Sequence, residues 1–360
     1  MKLLIVAQIN SIHTIRWINS LINFVDELHI ASMHEPLESI DDRIVIHKLP
    51  RKAPMGYFTN HKSLKNIILK IKPDLIHTHY MSGYGTLSAL AVNRQLHPHL
   101  LSMWGSDIYD FPEKSFVHKR IIRWVADKAT ILASTSHVMK SQFYKVYPNY
   151  PNRIEVTPFG VDTELFKPNR LLGNTDVFNI GIAKNIEDKY GINFLIEGFA
   201  SFNKDYPNSK LHIIGQGSKT ESLIKQVQDL ELKEKVVFYG RINNKDLPKY
   251  INSWNVCVFP SILESFGVSA VETCSCALPV IVSNVGGLPE VVEDGVTGII
   301  IPPKNPEAIY RELTRLFLNP ELCLNMGLKG RERVLNKYDW NENVKQMVLI
   351  YKKMLVENGN

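Results

Sequence analysis

Short apolar runs alternate with longer amphipathic stretches along the whole chain, and that alternation constrains the fold more than any single residue. Apolar runs at residues 2–7, 28–31, 75–78, 100–103 and 129–134 read as buried strands of a parallel sheet. Residues 15–24 and 64–71 between them carry helical spacing. The segment 154–162 closes this series, and the polar stretch 169–176 has the composition of a linker. A second series then starts, with strands expected at 177–183, 210–214, 236–239, 256–259, 280–282 and 298–301. The reading is α/β: two doubly wound sheets joined by a hinge, with a cleft between them. Ligands of such sheets bind beyond the carboxyl ends of the strands.

Length and composition fit this reading. A chain of 360 residues, 44% hydrophobic and 22% charged, is long for one domain and comfortable for two. No run reaches the roughly 18 apolar residues needed to cross a bilayer. The opening segment 1–7 is too short for a secretory core and lacks a small-residue cleavage site, so a cytoplasmic protein is expected. Cys257, Cys274, Cys276 and Cys323 all fall in the second half, in contexts that favour free buried thiols over a disulfide or a zinc site. The net charge of +6 is uneven: residues 1–160 hold 19 Lys/Arg against 12 Asp/Glu, whereas residues 161–360 hold 23 against 24. Eight basic residues and no acidic one lie between Arg43 and Lys72 (Arg43, Lys48, Arg51, Lys52, Lys62, Lys65, Lys70, Lys72). Such a run attracts an anionic membrane surface, or is the solvated face of a basic protein. Nothing in the chain suggests a nucleic-acid partner.

Chemistry concentrates in the second half. Residues 256–259 form an apolar strand, the loop after it carries Glu264, and a helix beginning after Gly267 carries Glu272. Two carboxylates thus flank a strand-to-helix junction whose N–H groups suit an anion. Glutamates near a helix start also occur simply as dipole-matching surface residues. Lys184 and Lys189 follow the first strand of this half, where ammonium groups can neutralise a diphosphate and the charge growing on it as it leaves. Gly215 and Gly217 follow the next strand, Arg241 and Ile242 the third, and the run Gly286-Gly287-Leu288-Pro289-Glu290 a later one. Five strand ends on one side of one sheet therefore carry Gly, Lys or Glu features.

These motifs resemble the donor domain of glycosyltransferase family 4, the retaining nucleotide-sugar transferases of GT-B fold. The resemblance rests on Lys184…Lys189-Tyr190-Gly191, Gly215-Gln216-Gly217, Phe238-Tyr239-Gly240-Arg241, Pro260-Ser261…Glu264-Ser265-Phe266-Gly267…Glu272 and Leu278-Pro279-Val280-Ile281. It continues through residues 286–290, 293–298 and 301–303, and residues 158–168 resemble the family's linker. It implies that Lys184, which stands where Arg is usual, grips the donor diphosphate with Lys189. Glu264 would hold hydroxyls of the donor sugar. The N–H groups of Phe266, Gly267 and Val268 would meet sugar and phosphate, Glu272 the ribose hydroxyls, and the backbone near Arg241 and Ile242 the base. Ala277 replaces a usual Gly.

The first half resembles the family more loosely and would supply the acceptor side. Asn10 and His13 follow the first strand in place of a Gly-Gly turn. The stretch Met103-Trp104-Gly105-Ser106-Asp107 resembles the family's His-Gly-Ser-Asp motif, with Trp104 where His is usual. Asp107 is then a candidate for acceptor or sugar contact and His13 the runner-up. His77 and His79 alternate at a strand end, where either one faces the cleft or both are satisfied structural histidines. No Asp-x-Asp follows an apolar strand, so no metal or other cofactor is expected, and cationic side chains would do that work.

The resemblance implies an acceptor-binding Rossmann-like domain over residues 1–165 and a donor-binding one over 166–337. A last helix, 338–360, would return to the first domain. The function implied is a metal-independent, retaining transfer of a sugar from a UDP- or GDP-sugar to a hydroxyl of a glycan or lipid-linked acceptor. The setting would be cell-surface polysaccharide synthesis, on the cytoplasmic face of the membrane. Two alternatives remain: a non-catalytic sugar-nucleotide-binding subunit of the same fold, and a sugar-nucleotide epimerase. A pyridoxal-phosphate-dependent phosphorylase lacks its lysine site. A dinucleotide dehydrogenase fits poorly, because no Gly-x-Gly-x-x-Gly follows the first strand.

Overall fold

The computed structural model describes residues 1–169 and 176–359. Most of the linker expected at 169–176 therefore lies outside the described residues. The chain forms two compact units, one of Met1–Pro158 with Asn341–Asn360 and one of Phe159–Trp340.

The first unit holds seven strands: β1 (Lys2–Val6), β2 (Glu27–Ser32), β3 (Val45–Lys48), β4 (Leu75–His79), β5 (His99–Met103), β6 (Ile131–Ser134) and β7 (Ile154–Val156). They form one sheet in the order β3-β2-β1-β4-β5-β6-β7, and every pairing is parallel. The order reverses between β1 and β4, where Leu3 pairs with Leu75 and Val6 with Thr78. Strands β4, β5 and β6 are buried along their whole length, which is why they read as continuous apolar runs. Two helices cover one face, and the helix Trp340–Glu357 meets the other through His77. Leu64 and Ile68 of the helix His61–Ile71 pack on Leu4, Val6 and Ile76. Ile122 and Val125 of the helix Phe116–Asp127 pack on Leu101, Met103 and Leu132.

The edge strand β3 has no such signature, because Val45 and Ile46 are exposed. The first helix runs Ile12–Leu21, three residues ahead of its expected place. Extended Ser11 starts it directly after the β1 loop (φ −112°, ψ 124°), and Thr14, Ile15, Trp17, Ile18 and Leu21 form its buried face. The helix Trp340–Glu357 buries Val344, Met347, Val348, Tyr351 and Met354 at helical spacing. It is tied to β4 by a 2.7 Å hydrogen bond between Tyr351 Oη and His77 Nδ1.

The second unit contains β8 (Phe178–Ala183), β9 (Ser209–Ile214), β10 (Val236–Gly240), β11 (Val256–Phe259), β12 (Val280–Ser283) and β13 (Ile299–Ile301). Their order is β10-β9-β8-β11-β12-β13, again parallel throughout. Numbered from the start of the unit this is 3-2-1-4-5-6, the doubly wound order, with its switch point between β8 and β11. The unit begins at Phe159 because Val161 is hydrogen-bonded into it: its N–H donates to Tyr338 O at 2.8 Å, and its carbonyl accepts from Trp340 N at 2.9 Å. Among the described residues no helix is long and apolar enough to cross a membrane.

Candidate functional site

The switch point of the second sheet places Lys184, one residue past β8, beside the loop that follows β11. That loop carries Glu264. Lys184 Nζ and Glu264 Oε2 lie 2.5 Å apart, with side chains only 13% and 9% exposed. Burial alone would push the Lys184 ammonium down. The Glu264 carboxylate, with Tyr190 and Glu272 further off, more than offsets this and holds it above its ordinary value. A charged pair at the carboxyl edge of a parallel sheet is therefore set before any ligand arrives.

Local backbone geometry dictates where this pair sits. Gly215, after β9, packs against the Lys184 carbonyl so closely that a Cβ would come within 1.9 Å of it, and its φ is +140°. Gly286, after β12, crosses the Glu264 carbonyl in the same way, with a Cβ 1.6 Å away and φ +51°. Only glycine meets both demands at these two crossings. Gly217 lies against the Ile186 carbonyl in the same bend. The Gly287 N–H then donates to Glu264 O at 3.2 Å.

Lys189 lies in the 3₁₀ turn Asp188–Tyr190. Its carbonyl accepts from Ile262 N at 2.8 Å and Leu263 N at 3.1 Å, clamping the Glu264 loop to the Lys184 loop. Its side chain is exposed. Both ammonium groups address one ring: Lys184 Nζ is 4.5 Å and Lys189 Nζ 5.3 Å from the centroid of Tyr190. The sequence motif contains Tyr190, but its part in gathering the two lysines emerges only in three dimensions.

Past the Glu264 loop, Gly267 (φ +108°) starts the helix Val268–Ser275. Phe266 is buried, 5.6 Å from the Tyr338 ring and 6.3 Å from Phe159, which fixes the helix start. The first N–H groups of such a helix have no acceptor within it and carry the positive end of its dipole. Glu272 lies on its buried side, 5% exposed. It accepts a 3.1 Å hydrogen bond from Asn244 Nδ2. Asn244 belongs to the loop after β10, which also holds exposed Arg241 and half-buried Ile242. The fold thus brings Lys184, Lys189, Glu264, Gly215, Gly217 and the helix start to one sheet edge, with Glu272 linked to the Arg241–Ile242 loop through Asn244. No spacing rule singles out Asn244, since its partner lies 28 residues away.

The thiols Cys257, Cys274 and Cys276 are buried and Cys323 half-buried, none of them in a disulfide. Burial pushes Cys274 and Cys276 up to about 12, leaving them inert.

In the first unit the loops after β4 and β5 meet at Asp107, which is fully buried. Its Oδ1 accepts from Gly105 N at 2.8 Å and Trp104 N at 3.2 Å, and its Oδ2 from Met81 N at 2.9 Å. Burial raises its pKa and these backbone donors lower it, with a net rise. With both oxygens held by main-chain N–H groups, Asp107 ties the two loops together. Trp104 packs edge-on to His13 at 6.3 Å and Tyr80 at 5.3 Å, and tilted on His79 at 4.3 Å. His77 bonds Ser102 Oγ and Tyr351 Oη, both at 2.7 Å, a satisfied structural histidine. His79 is fully buried with neither ring nitrogen bonded, and burial pushes it down to about 3. Asn10 is exposed on the loop after β1.

Comparison with known proteins covers both units. The family of glycosyl transferases group 1 matches residues 165–333, and the family of glycosyl transferase 4-like proteins matches residues 2–136. An uncharacterised glycosyltransferase of Methanocaldococcus jannaschii is 27% identical over 336 residues, spanning 91% of this chain and 90% of its own. The capsular polysaccharide biosynthesis glycosyltransferase CapM of Staphylococcus aureus is 28% identical over 358 residues, 92% of this chain and 91% of its own. Among solved structures, Anabaena HepE in complex with UDP superposes with a TM-score of 0.84 at 18% identity, over 98% of this chain and 100% of that one.

Proposed function

Given that the chain belongs to the group 1, family 4-like glycosyltransferases of GT-B fold, we propose that it moves a sugar from a UDP- or GDP-sugar to a hydroxyl of a glycan or lipid-linked acceptor, with retention of anomeric configuration. The observation that carries this reading is the Lys184–Glu264 pair at the switch point of the second sheet.

The residues divide the work by charge. The ammonium groups of Lys184 and Lys189 and the start of the helix Val268–Ser275 attract the donor diphosphate. Glu264, oriented by Lys184, accepts hydrogen bonds from hydroxyls of the donor sugar. Glu272, held by Asn244, accepts them from the ribose. As the bond between the anomeric carbon and the diphosphate oxygen breaks, its electron pair leaves with the diphosphate. Preorganised ammonium groups stabilise that charge, worth about 3 kcal/mol for one well-placed donor. The acceptor oxygen bonds to the anomeric carbon on the face the diphosphate leaves, and its proton passes to the departing phosphate oxygen. Because lysines supply the positive charge, no divalent metal is required.

The part that the Staphylococcus relative's name gives it in capsular polysaccharide biosynthesis supports a cell-surface glycan as acceptor. Attachment to an anionic membrane surface draws on exposed Lys52, Lys62, Lys65, Lys70 and Lys72. Arg43 and Lys48 contribute less, being paired with Asp41 and Glu35.

The test is transfer from UDP-glucose, UDP-N-acetylglucosamine or GDP-mannose to a panel of glycosides, with and without EDTA, the product's anomeric configuration being read by NMR. An α-linked product from an α-linked donor, unaffected by EDTA, is the expected result. An inverted product, or loss of transfer with EDTA, overturns the retaining or the metal-independent part. Sugar-nucleotide turnover without any acceptor favours the epimerase.

A further inference from the structure

The first unit holds a cavity of about 530 Å³, within the usual range for small-ligand sites. It opens at that sheet's own switch point. Gln8 lines it from the loop after β1, Tyr80 and Ser82 from the loop after β4, and Ser106 from the loop after β5. Tyr57, Phe58 and Phe111 supply aromatic walls.

Backbone strain marks the same place. Tyr80 has φ +71°, a conformation that a bulky residue adopts at a cost of about 1–3 kcal/mol. It is pinned there by Tyr80 N donating to Ser102 O at 3.0 Å and by Gly85 N donating to Tyr80 O at 2.9 Å. Asp107 clamps the two loops on either side, through Met81 N and Gly105 N. The fold therefore holds a tyrosine in an unfavourable conformation at the mouth of a preformed pocket.

The lining selects among occupants. It contains no Asp, Glu, Lys or Arg among the described residues. A phosphate or carboxylate would find no Lys or Arg to pair with inside it. Lys114, whose Nζ sits 5.9 Å from the centroid of Phe111, does not line the cavity. A purely apolar chain would strip water from Gln8, Ser82, Ser106 and His118 without replacing their hydrogen bonds. A pyranose ring suits both sets of groups, since its C–H faces lie on aromatic rings and its hydroxyls reach the polar tips. The phenol of Tyr80 is pushed up to about 12, by burial first and by the Asp107 carboxylate second, so it presents a neutral O–H.

We infer that this cavity is an acceptor subsite for an uncharged sugar ring, so that the hydroxyl which receives the transferred sugar belongs to a neutral glycan. The inference rests on the transferase reading and narrows its acceptor to one chemical class.

Saturation-transfer NMR on the full chain tests it, with methyl α-glucoside, methyl α-mannoside, N-acetylglucosamine and cellobiose as neutral probes. Glycerol 3-phosphate and farnesol serve as the charged and apolar probes. UDP titrated into the same samples reports separately on the second unit, so failure of the donor reading is distinguishable from failure of this one. At least one neutral sugar is expected to receive saturation on its ring protons. Its affinity should fall about two- to tenfold in Phe58→Ala and in Phe111→Ala, the range that one aromatic contact supplies, with UDP binding unchanged. Saturation of only glycerol 3-phosphate or farnesol, of no neutral sugar at all, or equally in both variants, overturns the inference.

Discussion

Replacing Lys184 with Met removes the ammonium 2.5 Å from Glu264 and leaves a carboxylate that is 9% exposed without its counter-charge. Breaking a buried pair on one side costs about 3–5 kcal/mol. Taking the lower end, the folded-to-unfolded ratio of the second unit falls roughly 150-fold. For a unit of this size the midpoint of melting drops by about 6–12 °C. The double variant Lys184→Met with Glu264→Gln removes both charges, and its stability should return to within about 1 kcal/mol of the parent. Urea unfolding at pH 7 followed by circular dichroism measures all three proteins. Because Lys184 is held above its ordinary value, the ammonium's contribution is full at pH 7 and is lost as pH climbs through that raised value. Both variants should lose transfer activity by about 10²–10³-fold despite their different stabilities. A single variant no less stable than the double one would refute the buried pair and the preset geometry derived from it.

Burial holds His77, His79 and His99 neutral, His79 at about 3 and His99 at about 4, with like-charge repulsion from His79 and His99 adding to the effect on His77. Unfolded histidine titrates near pH 6.5, so their stabilisation is full above that and drains as pH falls toward the depressed values. Three protons give a slope of about 4 kcal/mol per pH unit near pH 5; a urea midpoint equal at pH 7 and pH 5 would contradict this. Asp107→Asn should destabilise the first unit by about 1–3 kcal/mol, because an amide replaces one accepting oxygen with a donor facing main-chain N–H groups. Amide hydrogen exchange at Met81 and Gly105 should speed up accordingly, and unchanged exchange would refute the clamp. Gly286→Ala should cost at least about 1–3 kcal/mol and lower sugar-nucleotide affinity, since its Cβ would meet the Glu264 carbonyl at 1.6 Å; unaltered binding would show that this crossing does not set the Glu264 loop.

Much of this architecture is legible from the chain because both sheets are parallel and covered on both faces. Strands such as β4, β5, β11 and β12 are buried end to end and so appear as apolar runs. The exposed edge strand β3 breaks that rule and left no trace. In the second unit, residues that follow strand ends announced themselves through Lys184, Gly215, Glu264 and Gly286 being of special type. Asn244 and Tyr190 act through partners distant in sequence or through ring geometry, which periodicity does not encode. Asp107 stood out as a carboxylate in a recognisable motif, but its burial and its main-chain donors are features that no residue pattern displays. The aromatic cavity draws its walls from five separate segments, and so was invisible until the sheet order was known.

On the proposed function, the second unit binds a nucleotide-sugar through Lys184, Glu264 and Glu272. Isothermal titration of the full chain with UDP, GDP, ADP and TDP, without added metal and beside Glu272→Ala, tests it most directly. One nucleotide should bind the parent and lose at least tenfold in affinity in the variant, the loss of a charge-assisted hydrogen-bond pair to ribose being worth about 1.5–3 kcal/mol. Equal affinity in parent and variant, or no heat of binding with any of the four, would contradict the donor site.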